Sequence, residues 1–155
     1  MNSIVRAPVQ AQSHAAPGAA AAAKAVVAGA QKRVLYIDDD EPLLWLMTHF
    51  LERRGYRVRG YAKASDALAA VRANPLDFDL AITDYSMPGM SGLEVAAALR
   101  AIRADLPVAL ISAYMTDEVR ARAPAAGVSE IIQKSDTLDE MCDAVVRMAH
   151  PGLEP

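Results

Sequence analysis

From residue 34 onward, the sequence alternates five times between a short apolar run and a longer segment with helical periodicity. The apolar runs predict β-strands at residues 34–37, 56–61, 80–83, 108–111 and 128–133. Strands that are joined through helices run parallel, and a parallel sheet carries helices on both faces. We therefore expect an α/β fold built on one five-stranded parallel sheet.

Residues with known preferences for helix ends separate the predicted elements. Pro42 stands early in the first helix, and Gly55 follows its end. Ser91 and Glu94, three residues apart, predict a capping box at the start of the third helix. The other capping residues that we expect are Ser65, Thr116, Gly127, Ser135 and Thr137.

The first 33 residues differ in composition from the rest of the chain. They hold twelve alanines, no acidic residue, and no Leu, Phe, Tyr or Trp. Such a segment has too little large apolar surface to offset the entropy that is lost on ordering. We therefore predict a flexible Ala-rich tail at residues 1–32, a folded domain at residues 33–150 and a short C-terminal end at residues 151–155.

The tail has some features of a targeting segment. Arg6 precedes an Ala-rich run that ends at Ala28-Gly29-Ala30, a small-x-small pattern. Lys24 interrupts this run, and a membrane span needs about 20 consecutive apolar residues. We therefore predict a cytoplasmic protein with no membrane partner. Cys142 is the single cysteine, which agrees with a reducing compartment.

The balance of charge argues against a nucleic acid partner. The chain has 16 Lys and Arg against 19 Asp and Glu, a net charge of -3. Without the four basic residues among residues 1–33, the remainder carries -7. Because the phosphate backbone repels an acidic domain, we expect no nucleic acid partner.

Polar residues follow several of the predicted strands. Asp38 to Asp40 come after the first strand, Asp84 after the third, Ser112 after the fourth and Lys134 after the fifth. The carboxyl ends of parallel strands share one edge of the sheet, where ligands bind. Carboxylates that are crowded together repel one another, so a cation is expected between them. Oxygen ligands without nearby His or Cys suit Mg²⁺.

The remaining polar residues of this edge suit a phosphoryl group. Lys134 supplies a positive charge and Ser112 a hydroxyl, which match the charge spread over phosphoryl oxygens. The sequence has no Gly-rich nucleotide loop, so we expect no bound ATP. A carboxylate remains as the covalent acceptor, since Asp can carry an acyl phosphate.

Four segments of this chain resemble the receiver domain of two-component response regulators, including the receivers attached to hybrid sensor kinases. They are residues 34–42 (VLYIDDDEP), residues 83–92 (TDYSMPGMSG), residues 111–113 (ISA) and Lys134. The resemblance covers about residues 33–149. It implies a flavodoxin-like, doubly wound sheet with strand order 2-1-3-4-5 and helices on both faces.

The resemblance also implies roles for individual residues. Asp84 corresponds to the phosphoacceptor, Ser112 to the residue that hydrogen-bonds the phosphoryl oxygen, and Lys134 to the residue that neutralises one of its charges. The Mg²⁺ ligands that the resemblance implies are Asp38, Asp39, Asp84 and the main-chain carbonyl of Ser86.

As a receiver, the chain is expected to be a signalling domain and not an enzyme. It would take its phosphoryl group from a phosphohistidine on a sensor histidine kinase or a histidine phosphotransfer protein. Because nothing follows the last predicted helix, we expect a stand-alone receiver that acts by protein contact or by phosphoryl drainage. A weak homodimer is left open.

Three residues are expected to affect switching and phosphate lifetime. Ser135 stands where the family usually has Pro after the strand-end Lys, so the bond from Lys134 is expected to be trans. Ile131 stands where the family commonly has Tyr or Phe. Tyr114, two residues beyond Ser112, is expected to cover the phosphoryl group and slow its hydrolysis. Alternatively, its ring faces solvent and contacts a partner.

Two other functions are compatible with the same residues. Asp38 to Asp40 also satisfy the Asp-x-Asp motif of haloacid-dehalogenase-type phosphatases, with Ser112 and Lys134 as later helpers, although the late acidic pair and the Thr expected soon after the first motif are missing. A pseudo-receiver that binds a partner without phosphorylation is the other alternative, because of Ser135 and Ile131.

Overall fold

The computed structural model describes residues 31–134 and 136–152. Most of the predicted tail and of the predicted C-terminal end therefore lie outside the described residues. Ser135 lies outside them as well, and with it the expectation for the Lys134–Ser135 peptide bond.

Strands and helices alternate throughout the described part of the chain. The strands are β1 (Arg33–Ile37), β2 (Arg57–Tyr61), β3 (Leu80–Asp84), β4 (Val108–Ser112) and β5 (Glu130–Gln133). The helices are α1 (Glu41–Arg53), α2 (Ala64–Ala73), α3 (Gly92–Ile102), α4 (Asp117–Ala126) and α5 (Leu138–Ala149). Among these helices, none is long and apolar enough to cross a membrane.

The strands form one parallel sheet in the order β2-β1-β3-β4-β5. This order confirms the expected doubly wound α/β fold. β1 lies between β2 and β3, and its register pairs Ile37 with Tyr61 on one side and with Thr83 on the other. The carboxyl ends of β1 and β3 are therefore neighbours.

Alternate residues of β1 enter the cores on opposite faces of the sheet. Val34 and Tyr36 pack in the cluster that includes buried residues of α1 and α5. Leu35 and Ile37 pack in the cluster that includes buried residues of α2 and α3. Because successive side chains of a strand point to opposite faces, an apolar run buried on both sides is what a central parallel strand needs. Cys142 is buried in the first cluster, as expected for a small core residue.

Most of the predicted helix ends are confirmed, including the capping box of Ser91 and Glu94 and the cap of Thr116. Thr137 caps α5, with Glu140 completing a second capping box. The prediction that Ser65 caps α2 is wrong, because the helix begins at Ala64 and its N-cap is Lys63, without a side-chain cap.

The fifth strand also begins two residues later than predicted, at Glu130. The N–H of Val128 donates to the carbonyl of Ala123, 3.0 Å away, so this residue belongs to the end of α4. Gly127, with φ of 90°, makes this turn, since glycine adopts the left-handed conformation without strain.

Candidate functional site

Three carboxylates converge at the carboxyl edge of the sheet. Asp38 and Asp39 follow β1, and Asp84 is the last residue of β3. One carboxylate oxygen from each residue lies within 4.8 Å of the other two. Asp38 is 0% exposed and Asp84 is 3% exposed, whereas Asp39 is exposed. The structure thus brings together three side chains that the sequence places at this edge, and we call them the acidic cluster.

Asp40, the third residue of the acidic run, caps α1. Its Oδ1 atom accepts a hydrogen bond of 3.0 Å from the N–H of Leu43. A carboxylate in this position satisfies a free N–H group and interacts favourably with the helix dipole. The N–H of Asp40 also donates to Oδ1 of Asp38 at 2.9 Å. The acidic run therefore divides between the cluster and the helix cap.

Lys134 joins two members of the acidic cluster. Its Nζ atom lies 3.0 Å from Oδ1 of Asp84 and 3.3 Å from Oδ2 of Asp38. Burial disfavours the ammonium, but the hydrogen bonds and charges of Asp84 and Asp38 outweigh this effect, so the pKa of Lys134 is raised. Lys134 is therefore held as a cation between the ends of β1, β3 and β5.

Asp84 is in the opposite electrostatic situation. Burial disfavours its ionised form, and the charges of Asp38 and Asp39 add to this effect. The hydrogen bond and charge of Lys134 act against it but do not cancel it, so the pKa of Asp84 is raised. One lysine thus offsets only part of the negative charge of three carboxylates.

The donor set fits a magnesium ion. The acidic cluster offers carboxylate oxygens alone, and Mg²⁺ prefers oxygen ligands and retains several waters. The exposed side of the cluster, at Asp39, leaves room for those waters. Ser86 lies two residues after Asp84 in the loop that follows β3, and its main-chain carbonyl as a further ligand remains a prediction.

Ser112 is close to the cluster in the sheet, but its hydroxyl is engaged elsewhere. It is the last residue of β4 and is 2% exposed. Its Oγ atom donates a hydrogen bond of 2.8 Å to the carbonyl of Tyr114. The ring of Tyr114 is 84% exposed, which favours the solvent-facing alternative over a cover for the acceptor.

Ile131, which replaces the aromatic residue common in the family, is part of the packing around α4. It lies in β5 and packs against the small apolar cluster that contains Leu110 of β4 and Val119 of α4. An aliphatic side chain therefore links the edge strand to α4 in this protein.

The sequence analysis missed the participation of Tyr36. Its ring is fully buried in the core, and its hydroxyl donates a hydrogen bond of 3.0 Å to Oδ2 of Asp38. We counted Tyr36 only as one residue of an apolar strand. The available signal was its position two residues before Asp38, because side chains two residues apart in an extended chain point to the same side.

Comparison with known proteins gives a consistent result. The family model described as response regulator receiver domain matches residues 34–146. The chain is 32% identical over 109 residues to the two-component response regulator ARR10 of Arabidopsis thaliana. It is 35% identical over 149 residues to the virulence sensor protein BvgS of Bordetella pertussis.

These matches cover most of this chain but a small part of each relative. For ARR10 they cover 70% of this chain and 20% of the relative. For BvgS they cover 88% of this chain and 12% of the relative. The shared unit is therefore one domain of a longer protein in both cases.

A solved structure supports the same assignment. The response regulator TrrA of Thermotoga maritima, in complex with Mg²⁺ and BeF, superimposes with a TM-score of 0.67 and 30% identity. The match covers 76% of this chain and 99% of TrrA. Sequence, fold and the acidic edge of the sheet agree, and the chain belongs to the response regulator receiver domain family.

Proposed function

We propose that this receiver accepts a phosphoryl group on Asp84 in a two-component phosphorelay. The observation that carries the proposal is the setting of Asp84: a buried carboxylate with a lysine ammonium 3.0 Å away and two further carboxylates beside it. The donor we propose is a phosphohistidine on a sensor histidine kinase or a histidine phosphotransfer protein. The readout is a protein contact or the drainage of phosphoryl groups.

In the proposed reaction, an oxygen of Asp84 forms a bond to phosphorus while the bond between phosphorus and the imidazole nitrogen breaks. The electron pair of the broken bond leaves with the imidazole, which takes up a proton. The product is an acyl phosphate on Asp84. Because the carboxylate form is the nucleophile, the raised pKa of Asp84 means that the nucleophile is lost at a higher pH than in an unperturbed aspartate.

Asp38, Asp39, Asp84 and the carbonyl of Ser86 are the ligands that we propose for Mg²⁺. When bound, the ion would neutralise charge on the cluster and on the incoming phosphoryl oxygens. Lys134 already contacts Asp84, so its ammonium is placed to balance one charge of the new phosphoryl group.

Ser112 connects the proposed modification to the surface. Its hydroxyl donates to the carbonyl of Tyr114, and a phosphoryl oxygen on Asp84 would compete for the same hydrogen. Exchange of this bond would release the loop between β4 and α4, in which Tyr114 is exposed. The loop and α4 are therefore the segment that we propose partners read.

The proposal can be tested with acetyl phosphate as the phosphodonor. The wild-type protein, incubated with acetyl phosphate and Mg²⁺, should gain the mass of one phosphoryl group. Asp84→Asn should gain none, because an amide cannot form the acyl phosphate. Asp77→Asn, which alters an exposed ion pair with Arg33 and Arg59, is the matched control and should be labelled like the wild type.

The outcome also separates the alternatives. A folded wild type that remains unlabelled by acetyl phosphate and by a phosphorylated histidine donor would support a pseudo-receiver. Steady turnover of an aryl phosphate would support a phosphatase. Membership of the receiver family supports the phosphoacceptor.

A further inference from the structure

Tyr36 places a hydroxyl under the acidic cluster. The residue is in β1 and its side chain is fully buried in the core that contains Met47 and Leu80. The hydroxyl donates to Oδ2 of Asp38 at 3.0 Å, and both groups are buried. A tyrosine hydroxyl in an apolar core requires a hydrogen-bond partner, and the carboxylate of Asp38 supplies it here.

Both oxygens of Asp38 are held by donors. Oδ1 accepts from the N–H of Asp40 at 2.9 Å. Oδ2 is shared between the hydroxyl of Tyr36 and the ammonium of Lys134, which is 3.3 Å away. These bonds fix the plane of a carboxylate that has no exposed surface.

The two side-chain donors on Oδ2 differ in what else they bind. Lys134 also contacts Asp84 and, under the proposed function, would serve the phosphoryl group. The hydroxyl of Tyr36 reaches the cluster from inside the core, where the ring is fixed by packing. It can remain on Asp38 while Lys134 changes partner.

We infer that Tyr36 is a positioning residue for the metal site, whose hydroxyl orients the carboxylate of Asp38 for Mg²⁺. The inference rests on the proposed function, in which Asp38 is a metal ligand. A ligand that is held in its binding orientation by an outer donor loses little freedom when the ion binds. Loss of such a donor typically lowers metal affinity by about tenfold or more.

The direct test is the affinity of Tyr36→Phe for Mg²⁺, because this substitution removes the hydroxyl and keeps the ring. Trp45 is the single tryptophan of the chain and lies in α1, the helix capped by Asp40, so its fluorescence provides a local signal. The rise in Tm with Mg²⁺ is a second signal that does not depend on phosphorylation. We expect the Kd for Mg²⁺ to rise about tenfold.

Tyr56→Phe is the matched control. Tyr56 belongs to the same core cluster but directly precedes β2, at the opposite edge of the sheet. Tyr56 is 7% exposed, its variant also loses one tyrosine hydroxyl, and we expect its Kd for Mg²⁺ to equal that of the wild type. The Tm of each variant without Mg²⁺ shows whether it is folded before the Kd values are compared.

A double substitution shows whether Tyr36 acts through Asp38. In an Asp38→Asn background, the further change Tyr36→Phe should alter the Kd for Mg²⁺ by less than about twofold, because the ligand that it orients is already lost. An equal tenfold effect in both backgrounds would overturn the inference, as would a Tyr36→Phe protein that binds Mg²⁺ like the wild type. A wild type that does not bind Mg²⁺ would instead defeat the proposed metal site itself.

Discussion

Charged side chains are numerous at both the amino and the carboxyl ends of the strands, which we call the two edges of the sheet. They are paired differently at the two edges. At the amino edge, Arg33 lies 3.3 Å from Asp79 and 3.8 Å from Asp77, and Arg59 lies 3.4 Å from Asp77. These side chains are partly exposed and match one another in number. At the carboxyl edge, the ammonium of Lys134 contacts Asp38 and Asp84, two of the three carboxylates of the acidic cluster.

The difference is clear in two aspartates of the same segment. The pKa of Asp79 is pushed up by partial burial, but hydrogen bonds from Arg33 outweigh this effect and lower it. The pKa of Asp84 is raised, because burial and the neighbouring carboxylates outweigh Lys134. Charge at the amino edge is balanced within the protein, while the acidic cluster at the carboxyl edge has more carboxylates than the one ammonium that contacts it. The two edges therefore differ in their excess of buried charge and not in their number of charged residues, and this excess indicates the edge where the candidate site lies.

The strongest test of this comparison removes two carboxylates from one edge at a time. Asp38→Ala with Asp39→Ala should abolish phosphorylation by acetyl phosphate and the Mg²⁺-dependent rise in Tm, because two ligands are lost. Asp77→Ala with Asp79→Ala removes as much charge from the amino edge. Its Tm should still rise with Mg²⁺, as measured by thermal unfolding with EDTA as the reference. An equal loss of the Mg²⁺ response in both variants would break the comparison.

The space around Gly92, at the carboxyl edge, is restricted. A Cβ atom on Gly92 would lie 2.3 Å from the carbonyl oxygen of Asp84 and 2.6 Å from Cδ1 of Leu110. Gly92→Ala should therefore lower the free energy of unfolding by about 2 to 3 kcal/mol, measured by urea denaturation. Gly60→Ala is the control, since its Cβ would meet the flexible end of Leu44 at 3.1 Å and should cost less than about 1 kcal/mol. Equal costs would show that the end of β3 is free to move.

Substitutions of Asp84 and Asp79 should change the free energy of unfolding in opposite directions. In metal-free buffer at neutral pH, Asp84→Asn should stabilise the fold by about 1 kcal/mol, because it removes a buried charge that is only partly compensated. Asp79→Asn should destabilise it by less than about 1 kcal/mol, since its ion pair is partly exposed. Urea denaturation of both variants beside the wild type measures these differences.

The pH dependence follows from the direction of each shift. Asp84, with a raised pKa in the folded state, costs stability above that pKa, and the cost disappears as the pH falls toward the pKa of the unfolded chain. Asp79, with a lowered pKa, contributes stability above its unfolded pKa and loses it as the pH falls through the folded pKa. The advantage of Asp84→Asn should therefore shrink on acidification. An advantage that grows at low pH would contradict the raised pKa of Asp84.

The smallest effect is expected at Tyr114. The sequence predicted a cover that slows hydrolysis, but the exposed ring favours a partner contact. Tyr114→Ala should therefore change the rate of phosphate loss by less than about twofold, which is less than about 0.5 kcal/mol in the barrier. The decay of purified phosphoprotein measures this rate. A severalfold acceleration would restore the covering role.

The sequence was sufficient to predict the order of the elements and the edge at which the site lies. This worked because a central parallel strand needs an apolar run and because all such strands end at one edge, as β1 and β3 do. The residue that forms a given hydrogen bond was harder to predict. Ser65 resembles a cap, but the first carbonyl of α2 belongs to Lys63.

Two hydroxyl hydrogen bonds at the site were not predicted. The hydroxyl of Ser112 donates to the carbonyl of Tyr114, two residues later, and the residue types alone do not show which acceptor it takes. The hydroxyl of Tyr36 donates to Asp38, two residues later, and packing in the core fixes its ring. Apolar periodicity counts tyrosine as a core residue and says nothing about its hydroxyl.

The central claim, that Asp84 is the phosphoacceptor, is tested most directly by locating the phosphoryl group. Borohydride reduces an acyl phosphate to an alcohol and so marks the modified aspartate permanently. Cleavage after Arg72 and Arg100 releases residues 73–100, a peptide that carries Asp77 and Asp79 of the amino edge together with Asp84. We predict that fragmentation of this peptide places the mark on Asp84 alone. A mark on either other aspartate, or on Asp38 or Asp39 in a different peptide, would contradict the account.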